Sequence, residues 1–222
     1  MRRRLHENSL SIVTFGLFFF VFVFGQSLAG HRANNEEQST HGEAEIGYLE
    51  YLTSAHFGEA TFENWESEFL QMGAYVLLTV WLRQRGSSES KKLEGEEAVD
   101  EDPANHRNDP DAPGPVRRGG LALVLYKNSL SAAFLTLFLL SWWLHAVTGA
   151  AEYSTEQVAH GGQPVSTVEF MGRAQFWFES LQNWQSEFLA VAAIVVLTIY
   201  LRQQGSPESK PVHASHASTG SE

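Results

Sequence analysis

The apolar residues of this chain fall into four blocks, and polar, acid-rich stretches separate one block from the next. The blocks cover residues 10–29, 69–82, 127–148 and 188–201. A helix needs about 20 predominantly apolar residues to cross the ~30 Å hydrocarbon core of a bilayer. The mean hydropathy of the whole chain, −0.20, is near that of a soluble protein only because it averages these blocks with the polar stretches. The pattern therefore predicts membrane-spanning helices.

Two of the four blocks are too short to cross a bilayer by themselves. Residues 69–82 and 188–201 hold 14 residues each, which is about 21 Å of α-helix. We expect each of these helices to begin earlier, so that Trp65 and Trp184 act as interface anchors at the headgroup level, where Trp is enriched. The four predicted spans are residues 9–29, 65–83, 127–148 and 184–202.

One stretch of the chain occurs twice. Residues 64–91 and 183–210 are identical at 18 of 28 positions, with an offset of 119. Each copy has Asn-Trp-x-Ser-Glu-Phe-Leu, an apolar run, Leu-Arg-Gln and Gly-Ser-x-Glu-Ser-Lys. The sequence Asn-Ser-Leu-Ser at 8–11 recurs at 128–131, with an offset of 120. This internal repeat predicts an all-α integral membrane protein in which four transmembrane helices form two parallel-repeat helical hairpins.

The amino-terminal block has a second interpretation, as a secretory signal peptide. Residues 2–4 are basic, and Ser-Leu-Ala at 27–29 resembles a cleavage site with small flanking residues. An internal copy of the same element cannot be a cleaved leader. The recurrence of residues 8–11 therefore favours a first membrane span over a signal peptide.

The rest of the chain divides around the two hairpins. The first hairpin covers residues 1–85 and the second covers 121–204. Residues 86–120 are rich in acids and prolines and cannot bury enough apolar surface to fold, so we expect a disordered cytoplasmic linker, and the tail at 205–222 is similar. Helical spacing also predicts a short helix before the second span of each hairpin, near residues 46–57 and 168–178, either at the membrane interface or packed on the bundle.

The distribution of Lys and Arg predicts the orientation. Thirteen of the 15 basic residues lie in the amino terminus, the linker, the tail and the adjoining span ends, and only Arg32 and Arg173 lie in the other two loops. Cytoplasmic segments carry an excess of Lys and Arg. We therefore expect a multi-pass protein of the cell membrane with both termini in the cytoplasm.

The tandem hairpins also resemble a known family. The two Asn-Trp-x-Ser-Glu-Phe-Leu motifs, each followed by an apolar run, Leu-Arg-Gln and Gly-Ser-x-Glu-Ser-Lys, are similar to a bacterial membrane-protein family of unknown function. The resemblance covers nearly all of both hairpins and leaves out the linker and the tail. It implies a multi-span membrane protein, and since the family has no known activity, no catalytic residues are carried over from it.

Polar residues collect at the predicted outer ends of all four spans. Ionisable groups at membrane depth are costly, so a buried one is by default a functional hypothesis. A pair of Glu residues that face each other near a two-fold axis would bind a cation or relay a proton. The candidate cluster consists of Gln26, Asn64, Ser67, Glu68, His145, Asn183, Ser186 and Glu187.

The same cluster has a structural interpretation. Asn64 and Asn183 are of a residue type that favours helix N-caps. Glu68 and Glu187 would then lie near the positive end of the helix dipole, which stabilises negative charge. His145 lies near the predicted membrane interface, where a single His more often forms a hydrogen bond with a neighbouring group than binds a ligand. The sequence leaves both interpretations open.

Composition and motifs exclude several classes of function. The net charge of −11 speaks against general nucleic-acid binding. The chain has no Cys and therefore no thiolate metal site. It contains no nucleotide-binding glycine-rich loop, zinc-binding His-Glu-x-x-His or nucleophile elbow. His213 and His216 in the tail are only weak metal ligands, since no further ligand is evident. We predict no cofactor, metal or catalytic residue.

The function expected from the sequence is therefore non-enzymatic. We predict an uncharacterised multi-pass membrane protein with a structural or partner-binding role. The alternative is a small ion or proton pathway, or a transporter subunit, that uses Glu68 and Glu187. The expected partners are the lipid bilayer and either a second copy of the chain or another membrane protein.

Overall fold

The computed structural model describes residues 2–42 and 44–220. Helices make up 70% of the chain, and the described residues include no β-strand, so the predicted all-α class is confirmed. In chain order the α-helices are α1 (Arg2–Glu7), α2 (Ser9–Phe20), α3 (Leu28–Thr40), α4 (Tyr48–Tyr51), α5 (Ala55–Trp81), α6 (Gly114–Arg118), α7 (Gly120–Lys127), α8 (Ser129–Ala159), α9 (Thr167–Met171) and α10 (Ala174–Tyr200). A π-helical stretch, Val21–Ser27, joins α2 to α3, and 3₁₀ turns lie at Ala98–Asp100 and Pro103–His106.

Three helices, and not the four that we predicted, are long and apolar enough to cross a membrane. They are the continuous helix Ser9–Thr40, α8 and α10. The predicted span at residues 65–83 lies in α5, which has a sufficient length of 27 residues. Its apolar run is shortened by Glu66, Glu68 and Gln71, which lower the hydropathy of every window that is long enough to span.

The long helices extend beyond the predicted spans. Helices α5 and α10 each begin ten residues before the predicted starts at 65 and 184, and α8 continues eleven residues past 148. Helix α3 likewise continues to Thr40. The first turns of α5 and α10 fall within the stretches 46–57 and 168–178, which we predicted to form separate short helices, and the long helices begin inside these stretches.

A π-helical stretch coincides with the change of offset between the repeated sequences. Asn8 and Gln26 are 18 residues apart, whereas their counterparts Asn128 and His145 are 17 apart. The π-helical stretch Val21–Ser27 lies in this interval, and α8 is α-helical throughout. A π-bulge holds one extra residue within a continuous helix. We infer that it accommodates this extra residue.

The chain folds into two compact units. Unit 1 consists of Met1–Phe62 and Leu144–Gly172, and unit 2 consists of Glu63–Trp143 and Arg173–Glu222. Helices α5 and α8 each contribute one segment to unit 1 and one to unit 2.

Aromatic side chains on the short helices form the core of unit 1. Tyr51 of α4 and Phe170 of α9 are both buried. The ring of Tyr51 lies 5.4 Å from that of Phe57, and its hydroxyl lies so close to Gly30 that a Cβ there would clash with it. Phe170 packs in the same way against Gly149 of α8. A glycine on each long helix thus makes room for an aromatic ring from a short one.

The core of unit 2 includes Phe176, which is fully buried and lies 5.6 Å from the ring of Trp142. The two helix-exit loops of this unit have matching hydrogen bonds. The backbone N–H of Gln84 donates to Ser90 Oγ, and the backbone N–H of Gln203 donates to Ser209 Oγ, both at 2.9 Å. The motif that follows each repeated helix therefore forms a similar loop both times.

The tail of unit 2 is organised around a buried lysine. Lys210 Nζ donates to the carbonyl of Gly86 and to those of Ser215 and Ser218, at 3.1 and 2.9 Å for the latter two. In the linker, the ammonium of Lys91 pairs with Asp100. Our expectation that residues 86–120 and 205–222 are disordered stays a prediction.

We predict that the close packing at Gly149 makes it intolerant of a side chain. In Gly149→Ala the new Cβ would lie 2.6 Å from the buried ring of Phe170 and 3.0 Å from Glu59. Overpacking of this kind costs about 1–3 kcal/mol. We expect a lower thermal unfolding midpoint for the detergent-solubilised protein.

Gly16→Ala is the matched control, because it is also a helical glycine and a Cβ there meets nothing within 4 Å. This change should leave the midpoint unchanged or raise it slightly, since Ala favours helix more than Gly does. Equal midpoints for both variants would contradict the packing described for Gly149.

Candidate functional site

The candidate polar residues fall into both units. Gln26 and His145 belong to unit 1, and the other six belong to unit 2. The role of the cluster stays a prediction.

Neither Asn64 nor Asn183 is a helix N-cap, so this structural interpretation is wrong. Asn64 lies nine residues after the first residue of α5, and Asn183 lies nine residues after the first residue of α10. Asn183 Nδ2 instead donates to Glu63 Oε1 at 2.6 Å. Ser67 and Ser186 donate to the carbonyls of the preceding Asn64 and Asn183, both at 2.8 Å. Glu68 and Glu187 are also more than ten residues from the helix starts, too far for the helix dipole to stabilise them.

Glu66 is a fully buried carboxylate of unit 2 that was not among the residues predicted from the sequence. Its side chain has 0% exposure, and Trp184 Nε1 donates to its Oε1 at 3.3 Å. The position that corresponds to Glu66 in the second copy is Gln185, which is exposed. The one indication in the sequence is that the repeated motif differs here, with Glu in one copy and Gln in the other.

Trp184 packs against protein groups. Its ring centroid lies 6.0 Å from that of Phe138, in addition to the hydrogen bond with Glu66. Trp65 is half-buried. Their predicted role as headgroup anchors stays a prediction.

Glu68 and Glu187 are close enough to interact electrostatically. Glu68 is exposed, whereas Glu187 is half-buried. The side-chain Nε2 of Gln71 donates to the backbone carbonyl of Glu187 at 3.0 Å. This bond links α5 to α10. The pair therefore places two carboxylates beside this contact between the helices.

In unit 1, Gln26 lies in the π-helical stretch and makes a hydrogen bond to the start of α5. Its Nε2 donates to Thr61 Oγ1 at 2.9 Å, and Thr61 is buried. His145 is fully buried, and one of its ring nitrogens lies within 4.8 Å of a carboxylate oxygen of Glu59. A buried imidazole beside a carboxylate can exchange a proton, and both groups are of a type that binds metals.

The chain belongs to a family for which no activity is described. The profile of this family, described as "Domain of unknown function (DUF6766)", matches residues 1–221. No curated protein and no solved structure matches the chain.

We predict that Glu66 stabilises unit 2 through the hydrogen bond from Trp184. Glu66→Ala removes the acceptor and leaves a partly buried indole N–H unpaired, which costs about 1–3 kcal/mol. We expect a lower unfolding midpoint for Glu66→Ala, and a smaller loss for Glu66→Gln, which keeps an acceptor oxygen. The measurement is thermal unfolding in detergent, followed by helical circular dichroism.

Glu68→Ala is the control, because it removes an exposed carboxylate from the same helix. Its midpoint should stay close to that of the unmodified chain. If Glu66→Ala and Glu68→Ala lower the midpoint equally, the hydrogen bond from Trp184 to Glu66 does not stabilise unit 2 in the way that we predict.

Proposed function

We propose that this member of the DUF6766 family is a non-enzymatic multi-pass integral membrane protein. The observation that carries the proposal is the exposure of its most apolar helices. In the most apolar 18-residue stretches of Ser9–Thr40, α8 and α10, only 6%, 17% and 6% of the residues are buried. Exposed apolar surface costs roughly 25 cal/mol per Å² in water. Lipid would cover these helices without that cost.

We include α5 as a fourth span, although its hydropathy is lower. Two of its acidic residues, Glu63 and Glu66, bond to Asn183 and Trp184 of α10. Polar groups that are paired inside a protein do not have to face lipid. The four helices would then form two parallel-repeat hairpins, and the offset of 119 between both the starts and the ends of α5 and α10 supports a duplication.

The proposed location is the bacterial cell membrane, with both termini in the cytoplasm. Four crossings place 13 of the 15 Lys and Arg residues on one side, as the positive-inside rule requires. Three crossings, without α5, would place the linker and the amino terminus on opposite sides and would split the basic residues.

The proposed role is structural or partner-binding, with a second copy of the chain or another membrane protein as the partner. Helices whose apolar faces are this exposed offer contact surface to a neighbouring helix as well as to lipid. Gly16 is an example of a small residue that faces open space and would allow close approach.

We predict the topology from single cysteines, because the chain has none of its own. Ser39→Cys at the end of α3 should react with an impermeant maleimide added to intact cells. Asn108→Cys in the linker should react only after the cells are permeabilised. If α5 does not cross, both positions lie on the same side and react together, and the four-span proposal fails.

A small ion or proton pathway is the second candidate function. The observations that favour it are the buried carboxylate of Glu66 and the electrostatic interaction between Glu68 and Glu187 in unit 2. Carboxylates placed inside a lipid-covered bundle typically mark ion pathways or proton relays.

We predict that a pathway, if it operates, depends on Glu68 and Glu187. The double variant Glu68→Gln, Glu187→Gln keeps the size and polarity of both side chains and removes their charge. We expect it to abolish proton or cation flux in liposomes made with the purified protein. Glu208→Gln, in the exposed loop after α10, is the matched control and should retain flux.

The insertion of each variant into liposomes should be measured beside its flux. Loss of flux with normal insertion supports the pathway. The absence of flux from the unmodified chain leaves the structural role as the proposal. Failure of the double variant to insert would also favour that role.

A further inference from the structure

A second repeated motif lies at the outer ends of two long helices. Glu-Gln-x-x-His-Gly occurs at residues 37–42 and again at 156–161, with the same offset of 119. The sequences on either side of the motif are not repeated. Residues 31–36 differ at every position from 150–155, and residues 43–47 differ at every position from 162–166. The first copy ends α3 and the second ends α8. The glycines, Gly42 and Gly161, have φ of 76° and 78°, a left-handed conformation that commonly follows a helix end.

Both copies of the motif line one cleft in unit 1. The cleft has a volume of roughly 550 Å³, and the first copy supplies Glu37 and His41 while the second supplies Glu156 and His160. His56, in the first turn of α5, lines it as well. Three imidazoles and at least two carboxylates therefore surround one space.

The spacing within each copy suits the chelation of a metal ion. Residues four positions apart lie on the same face of a helix, so each Glu and His of the motif can contact one ligand. His160 Nδ1 donates to the carbonyl of Glu156 at 2.8 Å. In the neutral ring this bond leaves the lone pair of Nε2 free to bind a metal ion, which is how proteins commonly orient a metal-binding His.

The charge of the cleft also favours a cation. Glu152 lies close enough to Glu37 and Glu156 to interact with both electrostatically. Among the described residues that line the cleft, none is Lys or Arg. The repulsion among the three carboxylates would be relieved by a bound cation.

An independent observation points to a ligand in this cleft. Asn34 lines it with 7% exposure, and its buried Nδ2 has no hydrogen-bond partner in the described part of the chain. Gln38, one helical turn further, lines the same cleft, and its buried Oε1 also has no partner there. Buried polar groups nearly always have partners. Water bound to a metal ion could accept from Asn34 and donate to Gln38.

We propose that this cleft binds a divalent transition-metal cation of the zinc class through the two Glu–His pairs. Imidazole and carboxylate ligands without thiolate suit Zn²⁺. Among the described residues of this cleft, no three Glu or His ligand atoms lie within 4.8 Å of one another. Binding therefore draws the exposed side chains of His41 and His160 into the cleft. The proposal does not depend on the proposed function.

The test is a calorimetric titration of the purified full-length chain in detergent with Zn²⁺. We expect one ion per chain. The double variant His41→Gln, His160→Gln should bind at least about 10-fold to 100-fold more weakly, the range typical for the loss of groups that hold a metal. His213→Gln with His216→Gln is the matched control, because these two tail residues lie outside the cleft, and its affinity should be unchanged.

The same affinity for the cleft variant and the unmodified chain would overturn the proposal. Loss of binding only in the tail variant would also overturn it. Circular dichroism without metal checks that each variant keeps its helices. If the cleft variant does not fold, X-ray absorption at the zinc edge of the tail variant decides, since the proposal requires at least two imidazole ligands there and a shell with fewer than two refutes it.

Discussion

The architecture depends on one constraint, which is that polar groups on a mostly apolar helix must find partners inside the protein. In unit 2, the carboxylates of Glu63 and Glu66 accept hydrogen bonds from Asn183 and Trp184, at 2.6 and 3.3 Å. A buried carboxylate without a partner would cost several kcal/mol. These contacts therefore fix which faces of α5 and α10 meet, and they leave the apolar faces to the surroundings.

This constraint also explains why a hydropathy measure separates α5 from α10, although both have 27 residues. A hydropathy average treats every side chain of a span as if it faced lipid. Helix α10 has the higher hydropathy because Ala190 and Ile194 take the positions of Gln71 and Tyr75. The assumption fails for Glu63 and Glu66 of α5, whose carboxylates bond to α10. The number of apolar helices and the number of crossings are therefore different quantities, and the second depends on tertiary contacts.

Apolar patterning predicted the helical class and the approximate ends of the repeated helices, because these features are local. Trp81 and Tyr200 end α5 and α10 within two residues of the predicted ends at 83 and 202. The starts of these helices were placed ten residues too late, because the aromatic residues of their first turns were assigned to separate short helices near 46–57 and 168–178. Glu66 was missed because its burial depends on Trp184, which is distant in sequence.

Some packed positions are the same in both copies and others differ. Phe57 and Phe176, at an offset of 119, are both buried. Gln26 bonds to Thr61, and the corresponding hydroxyl in the second copy, Ser180, is buried without a partner in the described part of the chain. Packing thus accounts for differences in sequence between the copies at buried positions, where a polar group depends on the particular neighbours that it contacts. It gives no reason for identity at the exposed helix ends, because surface positions tolerate most polar residues. The left-handed conformation of Gly42 and Gly161 accounts for the glycine of Glu-Gln-x-x-His-Gly. Identity of its Glu and His, within flanks that differ throughout, calls for a constraint other than folding. A ligand shared by the two helix ends supplies one.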